Sequence, residues 1–367
     1  MTNLYEKYAN VLVNYSVKAK EGDLVVIKSQ SHLAEPLIKE IYKKVLQNGA
    51  NPIVRIGLDS LNSLFIKYAN DNQLQFVDEM AKIEYEKADA IISIGAPVNV
   101  KSMAGADSKK MAKRAAATRE LSQKMLKRSE EGTLNWVIAD FPTQALAQEA
   151  KMSLDDYTEF LIKSCYLDLE NPTEKWIEIG KEQERLANLI NGTKKLHIKG
   201  YKTDITFNVE NRKWISCDGR LNFPDGEIYT SPVEDSASGE IYFDFPAIYR
   251  GNMAHKIHLV LENGKVIKAS ADVGEDFLIS MLDMDEGSRF VGEIAIGTNE
   301  RIQNVTGNIL FDEKIGGSIH MALGASYPET GGKNVSGLHW DIIKNMKENS
   351  SIYADDKLIY ENGKFVI

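Results

Sequence analysis

Short apolar runs separated by amphipathic stretches occupy the first half of the chain. "DLVVI" (23–27), "PIVRI" (52–56), "DAIISI" (89–94) and "WVIAD" (136–140) read as buried strands. Between them, "EPLIKEIYKKVLQNG" (35–49), the 60–87 region and residues 107–128 read as helices. Strands spaced by helices predict a parallel sheet with crossover helices, an α/β domain. No G-x-G-x-x-G follows any of these strands, so no dinucleotide site is expected. "ENPTEKWIEIGKEQERLANLINGT" (170–193) predicts one amphipathic helix, with Asn171 as N-cap, Pro172 in the first turn and Gly192 as stop. Beyond it the pattern changes. "KLHIKG" and "TDITFNVE" alternate like half-buried strands, and Gly and Asp turns become frequent. The expected division is an α/β domain over 1–193 and an α+β, strand-rich domain over 194–367.

One run in the second half breaks the simple pattern. "SGLHWDII" (336–343) sets His339 and Asp341 two apart among Leu338, Trp340, Ile342 and Ile343. In a strand, i and i+2 share a face, so the imidazole and the carboxylate point together while Leu338, Trp340 and Ile342 line the other side. A helix would separate the two by about 200°.

Composition narrows the classes. The 367 residues suffice for two cores, and 43% hydrophobic with 26% charged residues is ordinary for a globular protein. A net charge of -9 argues against nucleic acid or an anionic membrane as the main partner. The basic residues of 107–128, from Lys109 to Arg128, come without interleaved aromatics and read as a solvated helix face. There is no apolar leader at the start and no stretch of membrane-spanning length, so a cytoplasmic protein is expected. Cys165 and Cys217 are too few for a disulfide framework and are expected to be small core residues.

Four stretches of the second half place an acid or a histidine in apolar, strand-like surroundings. These are "FPDGEIYTSP" (223–232), "VGEIAIG" (291–297), "GSIHMALG" (317–324) and "GLHWDII". Each residue has an ordinary alternative: Glu227 in an exposed turn, Glu293 on a solvent-facing strand, His320 as a hydrogen-bonded core histidine. Taken together, Glu227, Glu293, His320, His339 and Asp341 are three carboxylates and two imidazoles, with few Arg or Lys nearby in sequence to compensate them. A divalent cation would. Donors of this kind suit Zn²⁺, Mn²⁺ or Co²⁺, and five exceed the three usual at one catalytic zinc. With one bridging carboxylate they can serve two metals about 3.5–4 Å apart.

The same stretches, with "LDMDEGSRFVGEIAIGTN", "TGNILFDEKIGGSIHMALGASYPETGGKN" and, in the first half, "WVIADFPTQALAQEAKMSLDDYTEFL", resemble the thermophilic-aminopeptidase family of metallopeptidases over essentially the whole chain. The resemblance implies a metal-dependent aminopeptidase that releases N-terminal residues from peptides with a metal-activated water at a two-metal site. It implies two divalent ions per chain (Zn, Co, Mn or Mg), held by Glu227, Glu293, His320, His339 and Asp341, with Glu293 bridging. It also implies a site role for Tyr327, in hydrogen bonding to the tetrahedral intermediate, and a homodimer. At such a site a carboxylate must shuttle the proton to the leaving amine, and Glu293 is the candidate. In the first motif Gly226-Glu227 stands where some members have two glutamates, which leaves Asp225 as a possible substitute ligand. Two other readings stay open: a different two-metal amidohydrolase, and a peptide- or small-ligand-binding module whose metal is structural.

Overall fold

The computed structural model describes residues 2–249 and 251–367. The chain forms two compact units. The first runs through Lys175 and takes back Gly219–Pro224; the second comprises Trp176–Asp218 and Asp225–Ile367.

In the first unit, β1 (Leu24–Ser29), β2 (Asn51–Ile56), β3 (Ala90–Gly95) and β4 (Asn135–Asp140) pair in parallel in the order β2-β1-β3-β4. The expected parallel sheet is therefore present. Helix Glu35–Gln47 buries Leu37, Ile38, Ile41 and Val45, the stripe its sequence spacing predicts. The 60–87 region is divided into Ser60–Tyr68, Asp71–Gln75 and Glu79–Lys87, because Asn70 and Asp78 each cap a new helix. The basic stretch forms helix Ser108–Glu130, which has no buried residue. Its cations pair locally, Lys113 with Asp71 and Lys124 with Glu86, as a solvated face does.

The boundary lies at 175/176 rather than near 193. Helix Pro172–Ile190 does start at the expected cap, where the Asn171 side chain accepts from Glu174 N. Yet its Leu186, Ala187 and Ile190 pack into one core with Leu196, Ile198 and Trp214, which ties the helix to the second unit. The return of Asn222–Phe223 to pair beside β4 adds a further strand to the first sheet. Two residues carry no alternation to read, so this strand has no sequence signal.

The second unit is strand-rich. Among the described residues, nine strands form one antiparallel sheet and five form another. The five-stranded sheet joins β5 (Ile215–Cys217), β6 (Glu227–Thr230), β7 (Val291–Gly297), β8 (Ser318–Gly324) and β9 (His339–Asn345) in the order β9-β8-β7-β6-β5, every pair antiparallel. One face is mostly apolar: Ile228, Val291, Ile294, Ile296, Ile319, Met321, Leu323, Trp340 and Ile342 all enter the core. Burial of each such side chain contributes roughly 1.5–3 kcal/mol, an upper figure that depends on the unfolded reference. Leu338, just before β9, is also in that core, as the alternation of "SGLHWDII" predicts.

Strict alternation fails at one place. Val291 and Ile294 share the core face although they are three positions apart, because β7 carries a bulge at Gly292: Val291 pairs with Leu323 and Glu293 with the next residue back, Ala322. The bulge turns Glu293 away from the core. Only glycine fits there, since a Cβ at 292 would lie 2.2 Å from Ala325 O and 2.5 Å from Gly324 O. Gly292→Ala is expected to cost about 3 kcal/mol or more, read as a lower denaturant midpoint at unchanged slope. An unchanged midpoint would show that the bulge tolerates a side chain.

Candidate metal centre

The other face of the five-stranded sheet carries the chemistry. Cross-strand register aligns Glu293 with Ala322 and Ala322 with Asp341, and pairs Gly297 with Glu227 and Gly324 with His339. Directly opposed antiparallel residues point the same way, so these side chains converge on one face. His320, two residues from Ala322, joins them beside Ala295. Alanine and glycine at the intervening positions leave the space that the long polar side chains fill.

All five expected residues come together. His339 Nε2 lies 3.3 Å from Glu293 Oε2 and 3.5 Å from Asp341 Oδ1. His320 Nε2 lies 3.5 Å from Glu293 Oε1, 3.5 Å from Glu227 Oε2 and 3.9 Å from Asp341 Oδ1. Glu293 thus turns one oxygen to each imidazole. Two overlapping donor groups result, Glu227–Glu293–His320 and Glu293–His339–Asp341, each with ligand atoms within 4.8 Å of one another. The ends differ in access: the His320 side chain is 1% exposed and that of His339 28%. Tyr327 sits at the open end, 36% exposed, with its hydroxyl 3.4 Å from His339 Nε2 and its ring edge-on to those of His339 and Tyr229.

Backbone carbonyls orient both imidazoles. His320 Nδ1 is 3.2 Å from Glu313 O, and His339 Nδ1 is 2.9 Å from Ala325 O. A carbonyl only accepts, so each Nδ1 donates, and in the neutral ring Nε2 presents a lone pair to the carboxylates. Acceptors then face acceptors. Glu227 Oε2 and Asp341 Oδ1 are buried without any hydrogen-bond partner, a costly state for a carboxylate oxygen. A divalent cation satisfies every one of these atoms, so the donor set fits a metal.

Three further residues belong to the centre. Glu313 groups with His320 and Asp341 as a potential ligand set. Lys314, fully buried, donates to Glu227 Oε1 at 2.5 Å and lies 2.6 Å from Glu313 Oε1 and 3.5 Å from Asp225 Oδ1. Few cations were expected near the cluster, and one lysine is built into it. The only sequence signal was "DEK" before "IGGSIH", in a turn fixed by Asp312, which accepts from Thr306 N, Thr306 Oγ1 and Gly307 N. Asp225 accepts from Gly226 N and leans toward Lys314 and Cys217. Cys165 is a core residue as expected, but Cys217 is half-buried within reach of Asp225 and Glu227. Burial, with Asp225 and Glu227 adding to it, holds the Cys217 thiol well above its ordinary pKa, so it stays protonated.

Metal-free, the cluster holds protons instead. Burial opposes a charged His320, but the Glu293, Glu227 and Asp341 carboxylates more than offset this and push it up to about 10. Burial raises Glu227 to about 8 against the opposing charge of Lys314. Burial also acts to raise Glu293 and Asp341, but the imidazoles beside them hold both below the usual range.

Fold and site together define a protein with a buried set of carboxylate and imidazole donors that would suit a divalent cation. The chain belongs to the thermophilic metalloprotease family M29, whose family model matches residues 1–365. It is 25% identical to aminopeptidase PepS of Streptococcus thermophilus, over 99% of this chain and 98% of that protein. Its fold is that of wild-type AmpT from Thermus thermophilus (TM-score 0.85, 22% identity, 99% of each chain covered). It is also similar to 2,5-dihydroxypyridine dioxygenase from Pseudomonas putida KT2440 (TM-score 0.62, 16% identity, 99% of this chain and 96% of that one). Two chemistries on one fold leave the donor set and the family match to decide between them. Among the described residues, no helix is long and apolar enough to cross a membrane.

These proton affinities set a pH dependence. Folded, metal-free protein binds protons that the unfolded chain releases above the ordinary values of 6.5 for His320 and 4.5 for Glu227. Their stabilisation is complete below those values and is lost as pH rises toward about 8 for Glu227 and about 10 for His320. The melting temperature of chelated protein should therefore fall by several degrees between pH 6.5 and 9, and metal should abolish the slope. Equal slopes with and without metal would contradict the assignment.

Proposed function

We propose that the protein is a metallo-aminopeptidase that hydrolyses the first peptide bond of substrates with a free N-terminus, using a metal-activated water at a two-metal site. The observation that carries this reading is Glu293 between two imidazoles, one oxygen to each, with an unpartnered carboxylate oxygen on Glu227 and another on Asp341. Charge supports two ions rather than one. When ionised, Asp225, Glu227, Glu293, Glu313 and Asp341 against Lys314 leave four negative charges, which one divalent cation does not cancel. Glu227, Glu293 and His320 would hold one ion and Glu293, His339 and Asp341 the other, with Glu313 within reach of His320 in the first set and of Asp341 in the second. Bound there, divalent ions supply Lewis acidity, which lowers the pKa of water and polarises a carbonyl.

The chain's own groups do the rest. Burial, reinforced by the Glu293 and Asp341 carboxylates, keeps the Tyr327 phenol protonated well above neutral pH. At the open end it is therefore a hydrogen-bond donor to the developing oxyanion. Glu293 was the expected proton carrier, but both its oxygens face imidazoles. Glu313, whose pKa burial and Asp341 raise despite Lys314, is better suited to hold the proton that the leaving amine takes. The family resemblance extends the proposal to a homodimer acting in the cytoplasm, with Zn²⁺, Co²⁺, Mn²⁺ or Mg²⁺ as the ion.

The test is hydrolysis of a leucine anilide by chelator-stripped protein titrated with each of these ions. Activity should return with metal and be absent on the N-acetylated anilide. Glu293→Gln should lose about 10³-fold or more in kcat, and Tyr327→Phe about 10–100-fold with KM little changed. No turnover with any ion would exclude the enzyme, and equal cleavage of the acetylated substrate would point to a general amidohydrolase.

A further inference from the structure

Lys314 touches one side of the centre only. Its ammonium has three donors and three carboxylates around it, from Asp225, Glu227 and Glu313. It takes Oε1 of Glu227, so that Glu227 can offer a metal only Oε2, the oxygen left without a partner. Its place is fixed by the backbone: Lys314 N donates to Phe311 O, and Lys314 O accepts from Asn299 N, whose side chain in turn donates to Asp225 O. On the other side of the centre, among the described residues, no lysine or arginine pairs with Glu293 or Asp341.

We propose that Lys314 is a built-in cation that divides the centre into two subsites of unequal affinity. Glu293, His339 and Asp341 form the tight subsite, and Glu227, Glu293 and His320 the weak one. The inference rests on the two-metal reading above. A divalent ion entering the weak subsite meets an ammonium already bound to one of its ligands, in a buried setting where like charges repel strongly. An ion entering the tight subsite meets ligands that no ammonium holds directly, and feels Lys314 only at a distance, through its field on Asp341. Lys314 acts through Glu227 and Glu313, and is a positioning residue. The protein would then keep one ion and exchange the other, so that activity follows the free metal concentration.

Cobalt titration of the chelator-stripped full chain tests this, read by the visible absorption of bound Co²⁺ and by metal analysis after desalting. Wild type should bind one equivalent at least about tenfold more tightly than the second. Lys314→Met should tighten the second equivalent by about tenfold or more and leave the first nearly unchanged. His339→Ala should remove the tight phase and His320→Ala the weak one; these two variants decide the order even if Lys314→Met does not fold. Two equal equivalents in wild type, a Lys314→Met titration like that of wild type, or a tight phase that survives in His339→Ala would each overturn the role of Lys314 while leaving the two-metal reading intact. Absence of bound cobalt in every variant and in wild type would overturn that reading, and this inference with it.

Discussion

Carboxylates and imidazoles packed on one face of a sheet, with their acceptor atoms toward each other, need protons or a cation between them. The remaining features of the second unit answer to this requirement. The opposite face of the same sheet sends nine apolar side chains into the core, and their burial offsets the cost of concentrating charge. Backbone carbonyls of Glu313 and Ala325 hold the two imidazoles with Nε2 inward. Gly292 turns Glu293 out of the core, while Ala295, Ala322, Gly297 and Gly324 keep the intervening space open. Lys314 meets part of the charge from within the chain, and the rest is left for metal.

Antiparallel register explains why so much of the centre was legible in the sequence. With a side-chain period of two, a polar residue in an apolar strand lies opposite its aliphatic neighbours. His339 and Asp341 in "SGLHWDII" declare their shared face directly, and His320 in "GSIHMALG" does the same. Glu293 was legible as a residue but not in its aim, because the bulge that directs it depends on a pairing partner far away in the chain. Lys314 and Glu313 lie in a turn without period, and a lysine beside two acids reads as surface until the fold buries it. The boundary at 175/176 was hidden for a similar reason. The helix after Asn171 looks alike whichever core receives its apolar stripe, and Asn222–Phe223 is too short to show any pattern.

Similarity to a dioxygenase as well as to an aminopeptidase shows how little the backbone alone decides. The chemistry of the centre lies in its local composition: a carboxylate offered to two imidazoles at once, a phenol kept protonated at the exposed end, and a buried ammonium on one flank. In the proposed hydrolysis, the first would help to hold the ions that generate a nucleophile and the second would stabilise an oxyanion. The third makes the two flanks of Glu293 electrostatically unlike.

The most direct measurement is anomalous diffraction from crystals of the protein loaded with excess cobalt. Two peaks about 3.5–4 Å apart should flank the Glu293 carboxylate, one beside His320 and the other beside His339. No peak within the cluster, or a single peak despite excess metal, would contradict a two-metal centre built on that shared glutamate.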